Sequence, residues 1–87
     1  MFSYILTVNA PADPQSDDMF RRFKETPGLL HAYDLEAVDS PNDMVVVTIW
    51  DNEESANAYL QKAPLRKEAD AAYPGIKRTM YRVRDSK

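Results

Sequence analysis

The stretch MVVVTIWDNEESANAYLQKA, residues 44–63, decides the fold. It begins with β-branched residues from Val45 to Ile49, whose restricted χ1 angles favour a strand over a helix. Both alternating sets of side chains in this strand are largely apolar. Because a strand that is apolar on both faces is normally covered on both faces, we predict a buried strand that ends at Trp50.

The hydrophobic period changes after Asp51. We predict that Asp51 caps a helix and that Glu54, three residues later, completes a capping box. The apolar residues beyond it recur at i, i+3, i+4 and i+7, which indicates one apolar helical face. These residues are Ala56, Tyr59, Leu60 and Ala63. Pro64 is expected to end or kink this helix, with a helical stripe continuing to Pro74 and Gly75.

Period-two alternation predicts three further strands, at Phe2–Asn9, Leu29–Val38 and Ile76–Arg84. Asp13 before Pro14 predicts the N-cap and first position of a helix. That helix is expected to end at Pro27 and Gly28. The cluster Asp39-Ser40-Pro41-Asn42-Asp43 predicts the turn between the second and third strands.

The predicted order is therefore strand, helix, strand, strand, helix, strand in one domain over residues 1–87. This order predicts an α+β, ferredoxin-like fold with a four-stranded antiparallel sheet. Two helices can cover only one face of that sheet. A bare second face would expose an apolar, aromatic-rich patch that monomers rarely show. We therefore predict a homodimer that packs sheet against sheet through an isologous contact, a dimeric α/β barrel.

Composition excludes several classes of site. The chain has no cysteine, so it can form neither a disulfide nor a thiolate metal site. Its two glycines cannot build a glycine-rich phosphate loop. A net charge of −3 disfavours nucleic acid as a partner, and no apolar run is long enough for a membrane helix. We expect a cytoplasmic protein that needs no metal or cofactor.

Basic residues concentrate near the end of the chain. They permit two interpretations: the solvated side of the last strand with its tail, or a basic rim that attracts an anionic ligand. The residues concerned are Lys77, Arg78, Arg82, Arg84 and Lys87.

The sequence resembles the antibiotic biosynthesis monooxygenase family of the dimeric α/β barrels. The resemblance rests on Pro27-Gly28-Leu29-Leu30 at the second strand, an aliphatic third strand ending in Trp50, and the capped helix that follows. It implies homodimers whose subunits each hold a pocket between sheet and helices. It also implies oxidation of aromatic or quinol substrates with dioxygen, without metal or flavin, in several members and haem degradation in others.

The resemblance also directs attention to single positions. Anthrone-oxidising members pair the tryptophan with an asparagine four residues earlier, where this chain has Val46. For the haem-degrading members, Asn9 matches the first-strand asparagine, and Tyr59 stands where they have a tryptophan. Their histidine would fall near Ala69, and the chain has no histidine after His31. Haem ligation of that kind is not supported.

Six residues are candidates for a site that binds a small hydrophobic or aromatic ligand. His31 is the only histidine and so a candidate general base, with an ordinary strand residue as the alternative interpretation. Tyr33 is the second catalytic candidate. The candidates for substrate binding are Asn9, Thr48, Trp50 and Tyr59. We expect Trp50 and Thr48 on the sheet side of the pocket, with His31, Tyr33 and Asn9 as the nearest polar groups.

Three functions remain open from the sequence. The first is a cofactor-independent monooxygenase that acts on a small aromatic or quinol-type substrate. The second is a non-catalytic homodimer that binds small molecules. The third is a structural or interaction module. Aromatic content in the predicted pocket favours the first two, and Val46 in place of the asparagine weighs against the first.

Overall fold

The computed structural model describes residues 1–87 and contains four strands and three helices. In chain order these are β1 (Phe2–Asn9), α1 (Pro14–Phe23), β2 (Leu29–Ala37), β3 (Ser40–Trp50), α2 (Glu53–Lys62), α3 (Pro64–Ala72) and β4 (Lys77–Arg82). The strands form one antiparallel sheet in the order β2-β3-β1-β4. This confirms the predicted ferredoxin-like α+β fold. No helix combines the length and the apolar character required to cross a membrane.

The start of α1 follows the prediction. Asp13 is extended, and its Oδ1 accepts a 2.7 Å hydrogen bond from the backbone N–H of Ser16. The Ser16 hydroxyl accepts in return from the backbone N–H of Asp13, which closes a capping box. The helix ends at Phe23, four residues before the predicted stop at Pro27. Gly28 then turns the chain with a φ of +85°, a conformation that glycine adopts without a steric penalty.

The predicted cap of α2 at Asp51 is wrong. Asn52 is the N-cap, and its side-chain oxygen accepts a 2.8 Å hydrogen bond from the N–H of Ser55. Asp51 instead donates its backbone N–H to the carbonyl of Gly28, so it still belongs to the end of the strand. Pro64 ends α2 and occupies the first turn of a separate helix, α3.

The predicted turn at Asp39–Asp43 is also wrong. The chain reverses at Val38 and Asp39, and β3 already begins at Ser40. Residues 41–43 fall in an irregularity of the β2–β3 pairing, where Ala37 is opposite Ser40 and Glu36 is opposite Met44. Asp43 continues the ladder on the other side of β3, opposite Asn9 of β1. Pairing with β1 therefore reaches Asp43, and pairing with β2 reaches Ser40, both within the predicted turn.

A second irregularity lies at Leu30, near the start of β2. Leu29 is opposite Trp50, whereas His31 is opposite Ile49, so Leu30 is an extra residue in β2. Facing residues in an antiparallel pair point to the same side of the sheet, and a one-residue insertion exchanges the two faces. The irregularity therefore places His31 on the face that carries Ile49 and away from the face that carries Trp50.

The core lies between the sheet and the helices and is built from aromatic rings. Trp50 is fully buried, and the Tyr4 ring stacks on it with centroids 5.8 Å apart. Phe23 of α1 and Tyr59 of α2 pack edge-to-face at 5.0 Å. The cluster consists of Tyr4, Phe23, Trp50, Ala56 and Tyr59.

The hydroxyl of Thr48 connects this cluster to the sheet. Its Oγ1 accepts hydrogen bonds from the Trp50 indole Nε1–H at 2.8 Å and from the backbone N–H of Tyr4 at 3.2 Å. The same hydroxyl donates to the Tyr4 carbonyl at 2.6 Å. Thr48 is completely buried, so these bonds satisfy groups that water cannot reach.

The opposite face of the sheet has no covering layer. We call it the open face. Tyr33 is 54% exposed, Leu35 47% and Tyr81 49%, and the His31 and Tyr33 rings stack with centroids 6.4 Å apart. The β-branched side chains at its centre are only partly buried. They are Ile5, Val45, Val47 and Ile49.

Replacing Thr48 by valine should lower the free energy of unfolding by about 1–3 kcal/mol. Valine preserves the shape but leaves the buried indole N–H of Trp50 without an acceptor. Thr48→Ser retains the hydroxyl and serves as the control, with a smaller loss. Urea titration followed by Trp50 fluorescence measures both variants. Equal losses in the two variants would show that the hydrogen bonds contribute little.

Candidate functional site

An apolar cavity of about 80 Å³ lies between the sheet and helices α1 and α3. Thirteen of its sixteen lining residues are hydrophobic. The sheet contributes Tyr4, Leu6, Val8, Asp34, Met44, Val46 and Arg78, and the helices and connecting segments contribute Ser16, Met19, Phe20, Phe23, Tyr59, Leu65, Ala69, Tyr73 and Ile76. Such a lining, with a few polar groups, is typical of a small-molecule site.

Two charged residues stand at opposite ends of one row of the sheet. Asp34 of β2 is opposite Val46, Val46 is opposite Leu6, and Leu6 is opposite Arg78 of β4. The row crosses all four strands, so the Cα atoms of Asp34 and Arg78 are about 14 Å apart, at about 4.8 Å per strand. The cavity therefore has a carboxylate at one end, a guanidinium at the other and an apolar floor between them.

The Asp34 carboxyl is at the exposed rim of the cavity. Burial by surrounding side chains raises the pKa of this carboxyl above its ordinary value, and the carboxylates of Asp17 and Glu36 act in the same direction. A raised pKa makes a carboxylate a stronger base. Asp34 is therefore suited to accept a proton from a ligand in the cavity.

Two phenol groups occupy the inner part of the cavity. The rings of Tyr4 and Tyr59 stack with centroids 6.1 Å apart. Burial raises the pKa of both phenols, and the neighbouring Arg78 opposes that shift in each case. Because a raised pKa keeps the Tyr59 phenol protonated, its hydroxyl can donate a hydrogen bond to a ligand oxygen across the neutral and mildly alkaline range.

Arg78 is the most buried charged group at the site, with 11% of its side chain exposed. Its Nη1 donates a 2.6 Å hydrogen bond to Oδ1 of Asp70. Its Nε and Nη2 are buried and have no hydrogen-bond acceptor in good geometry, although the Tyr4 phenol lies near enough to Arg78 for the guanidinium to oppose the rise of its pKa. Two donors of a charged group are thus unsatisfied at the wall of the cavity.

A second space of about 390 Å³ adjoins the first. Arg78, Tyr73 and Ile76 line both, and Arg66 and Asp70 lie on the far side. An apolar cavity of about 150 Å³ holds benzene. A ligand with one or two rings must therefore extend from the first space into the second, or α3 must move outward.

Helix α3 forms the outer wall and is loosely attached. It contains no buried residue, and its N-cap, Ala63, offers no side-chain hydrogen bond. Leu65 packs against the aromatic cluster, and polar contacts add to this packing: Glu68 forms a two-point ion pair with Arg22 of α1, at 2.7 and 2.9 Å. Just beyond the helix, the Tyr73 hydroxyl donates to Asp13 at 2.7 Å. Exposed ion pairs contribute little stability, so α3 is held less firmly than the helices that bury residues in the core.

The structure brings only some of the sequence-predicted residues to the cavity. Tyr59 lines it. Trp50 and Thr48 lie on the same face of the sheet but are fully buried, Trp50 within the aromatic cluster and Thr48 hydrogen-bonded to it, and neither lines the cavity. Asn9 is exposed at the end of β1 and is not part of the lining.

His31 and Tyr33 lie on the open face, on the opposite side of the sheet from the cavity. The extra residue at Leu30 explains this placement. With uninterrupted pairing after Leu29, His31 would be opposite Thr48 and would face the helices; the irregularity places it opposite Ile49. The roles predicted for His31 and Tyr33 stay predictions, but the structure does not bring these two residues to the cavity.

Sequence reasoning missed Asp34 as a cavity residue. It treated Arg78 only as one of a basic group, either the solvated side of the last strand or a rim for an anionic ligand, and not as a cavity residue. The available signal for Arg78 was its position among apolar neighbours in β4, on the same face as Met80. No pattern in the sequence marks Asp34, because its face depends on the irregularity at Leu30. No three or more His, Cys, Asp or Glu side chains are grouped in a way that could hold a metal ion.

Comparisons with known proteins bear on the fold. No protein-family model matches the sequence, and no curated protein matches it. Solved structures do. SnoaB, a cofactor-independent oxygenase from Streptomyces nogalater, superposes with a TM-score of 0.77 at 16% identity, covering 98% of this chain and 94% of that one. The chain has the fold of the antibiotic biosynthesis monooxygenases.

Two further structures with this monooxygenase fold are similar to the chain. A proposed antibiotic biosynthesis monooxygenase from Deinococcus radiodurans has a TM-score of 0.77 at 17% identity, covering 99% of this chain and 95% of that one. The ActVA-Orf6 monooxygenase of Streptomyces coelicolor, in complex with nanaomycin D, has a TM-score of 0.69 at 18% identity, covering 98% and 88%. At these identities the monooxygenase fold is shared, and function is a separate question.

Replacing Asp34 by asparagine should stabilise the protein at neutral pH. Because folding raises the pKa of this carboxyl, its ionised form disfavours the folded state. The gain should be present at pH 7 and disappear as the pH falls below the ordinary carboxyl value of 3.8. Urea titrations at several pH values measure it. Asp39→Asn, in the β2–β3 turn, is the control for removal of one negative charge. A gain that is independent of pH would contradict this expectation.

Proposed function

We propose that this protein is a cofactor-independent monooxygenase that oxidises a small aromatic or quinol-type substrate with dioxygen. The observation that carries the proposal is the Asp34 carboxylate, with a raised pKa, at the rim of an apolar cavity walled by aromatic rings. A base next to an apolar binding space is what such a reaction requires, because the substrate itself supplies the electrons.

The reaction begins with removal of a proton. Asp34 takes a proton from an acidic C–H or O–H of the bound substrate, and the substrate becomes an electron-rich carbanion or phenolate. Tyr59, as a neutral phenol, donates a hydrogen bond to the oxygen on which negative charge develops. The apolar lining keeps bulk water away from the anion.

Oxygen then adds to the activated carbon. The anion transfers one electron to dioxygen, the resulting pair combines to a peroxide, and protonated Asp34 returns its proton to that peroxide. For an activated CH₂ group, loss of water from the hydroperoxide leaves a ketone. One oxygen atom enters the product and the other leaves as water, so dioxygen accepts all four electrons from the substrate and no external reductant is needed.

The structural neighbours support this proposal by their activities. SnoaB is a cofactor-independent oxygenase, and ActVA-Orf6 is a monooxygenase that was crystallised with nanaomycin D. In the resembled anthrone oxidases an asparagine occupies the position of Val46. Here Asp34 is opposite Val46 on the neighbouring strand, so a polar group is supplied from β2.

A non-catalytic small-molecule binder is the second candidate. Val46 favours it, since this apolar side chain forms the middle of the cavity floor where the resembled oxidases have a polar one. A binder would take up the same class of ligand and return it unchanged.

Asp34→Asn should reduce turnover of an anthrone or a dihydroquinone by about 10²–10⁴-fold and change the Michaelis constant little. The reason is that the amide cannot accept the proton. Oxygen consumption, measured with an electrode and without added metal, flavin or nicotinamide, gives both parameters.

His31→Ala provides the comparison for this experiment. If Asp34 is the base, the His31 variant should turn over at close to the wild-type rate. If His31→Ala loses turnover while Asp34→Asn keeps full activity, the base is His31 on the open face. The assignment of Asp34 as the base is then overturned. Failure of the wild-type protein to oxidise any such substrate above the uncatalysed rate would favour the binder.

We also propose that the protein is a homodimer formed through the open face. Its centre is apolar and β-branched, and its exposed tyrosines, Tyr33 and Tyr81, are the type of residue enriched at interfaces. A flat sheet face of this kind is self-complementary under two-fold symmetry. His31 and Tyr33 then lie at the interface between the subunits.

Light scattering should give about twice the chain mass of 10.0 kDa at micromolar concentration. Val47→Lys, which places a charge at the centre of the open face, should give a monomer. The control is Val38→Lys, because Val38 is 96% exposed in the β2–β3 turn. A wild-type monomer throughout a dilution series would contradict the proposal.

A further inference from the structure

The unsatisfied donors of Arg78 lie on one edge of its guanidinium. Nε–H and the nearer N–H of Nη2 point in the same direction and form the side-on edge of the group. This edge matches the two oxygens of a carboxylate, with two parallel hydrogen bonds. In this structure Asp70 occupies Nη1, and the side-on edge has no partner. The fork that recognises a carboxylate is therefore unpaired, and because Nε and Nη2 are shielded from solvent, a ligand reaches them when a neighbouring wall such as α3 moves outward.

Burial makes the unpaired side-on edge of Arg78 unfavourable in free energy. Nε and Nη2 are inaccessible to solvent, and a buried charged donor without an acceptor is among the more expensive polar defects in a protein. The local charge balance is also positive, because Asp70 faces two guanidiniums: it is hydrogen-bonded to Arg78 and lies 3.2 Å from Nε of Arg66. Because the single carboxylate of Asp70 neutralises only one of the two guanidinium charges, the site favours an additional anion.

We propose that Arg78 binds a carboxylate of the ligand and that the natural ligand is an aromatic carboxylic acid. Arg78 lines both spaces, so a carboxylate on its open edge directs the attached ring over Leu6 and Val46 toward Asp34. Asp34 then faces the end of the ligand opposite the carboxylate. Because Arg78 carries a positive charge and Asp34 a negative one, the carboxylate of the ligand lies at the Arg78 end of the row.

This inference deepens the proposed function, because it uses the same cavity and names the substrate class. It rests on that proposal only in placing the ligand between Arg78 and Asp34. Binding can be measured without oxidation, so the two proposals fail in different experiments.

The experiment is isothermal titration calorimetry with 2-naphthoate and its neutral analogue 2-naphthamide. The wild-type protein should bind the carboxylate at least about tenfold more tightly than the amide, because only the carboxylate forms a charge-assisted pair with the side-on edge. Arg78→Lys retains the positive charge but lacks the fork, and should weaken naphthoate binding about tenfold or more while leaving amide binding unchanged. The Arg78 Nε–H resonance should shift on addition of naphthoate.

Two further variants complete the test. Arg82→Gln removes an exposed arginine from the same strand and should bind both probes like the wild type. Asp70→Asn removes the competing negative charge while retaining an acceptor for Nη1, and should strengthen naphthoate binding. Circular dichroism establishes that each variant is folded. Equal affinity for acid and amide, unchanged naphthoate binding in Arg78→Lys, or no binding of either probe would overturn the proposal.

Discussion

The hydroxyl of Thr48 is the interaction on which the rest of this structure depends. It fixes the indole of Trp50, and through the backbone of Tyr4 it ties β3 to β1 at the place where the aromatic cluster is assembled. Tyr4 and Tyr59 then stack against each other and close the inner end of the cavity. A single buried hydroxyl thereby links the ladder of the sheet, the hydrophobic core and the wall of the site.

Most of the fold could be predicted from the sequence because it follows local rules. The β-branched run before Trp50, the Asp13 cap and the apolar face of α2 each reflect interactions within a few residues. Two of the boundary errors, at the N-cap of α2 and at the turn between β2 and β3, have a tertiary origin. Asp51 is held by Gly28, which is distant in sequence, and Asp43 is paired with Asn9 of β1. Such long-range contacts have no counterpart in local composition.

The site was far less predictable, and Leu30 shows why. Side-chain alternation in β2 holds from His31 onward, but Leu30 breaks it, so Leu29 and His31 lie on opposite faces. Alternation alone also does not say which set faces the helices. Because of the one extra residue after Leu29, His31 lies on the open face and Asp34 lies on the face of the cavity. Tyr59 was found because helical period fixes its face. Arg78 is a candidate for ligand binding because its Nε and Nη2 lack hydrogen-bond partners. No sequence pattern shows which nitrogens of an arginine are paired.

The position of β1 in the sheet has a consequence for the order of events during synthesis. The first strand of the chain lies between β3 and β4, and the backbone N–H of Val83 bonds to the carbonyl of Met1. A ribosome therefore releases β3 first, and β4 only after α2 and α3 have been made. Until β4 emerges, the nascent chain holds one long edge of β1 unpaired, a surface prone to mispairing with other strands and suited to protection by a chaperone.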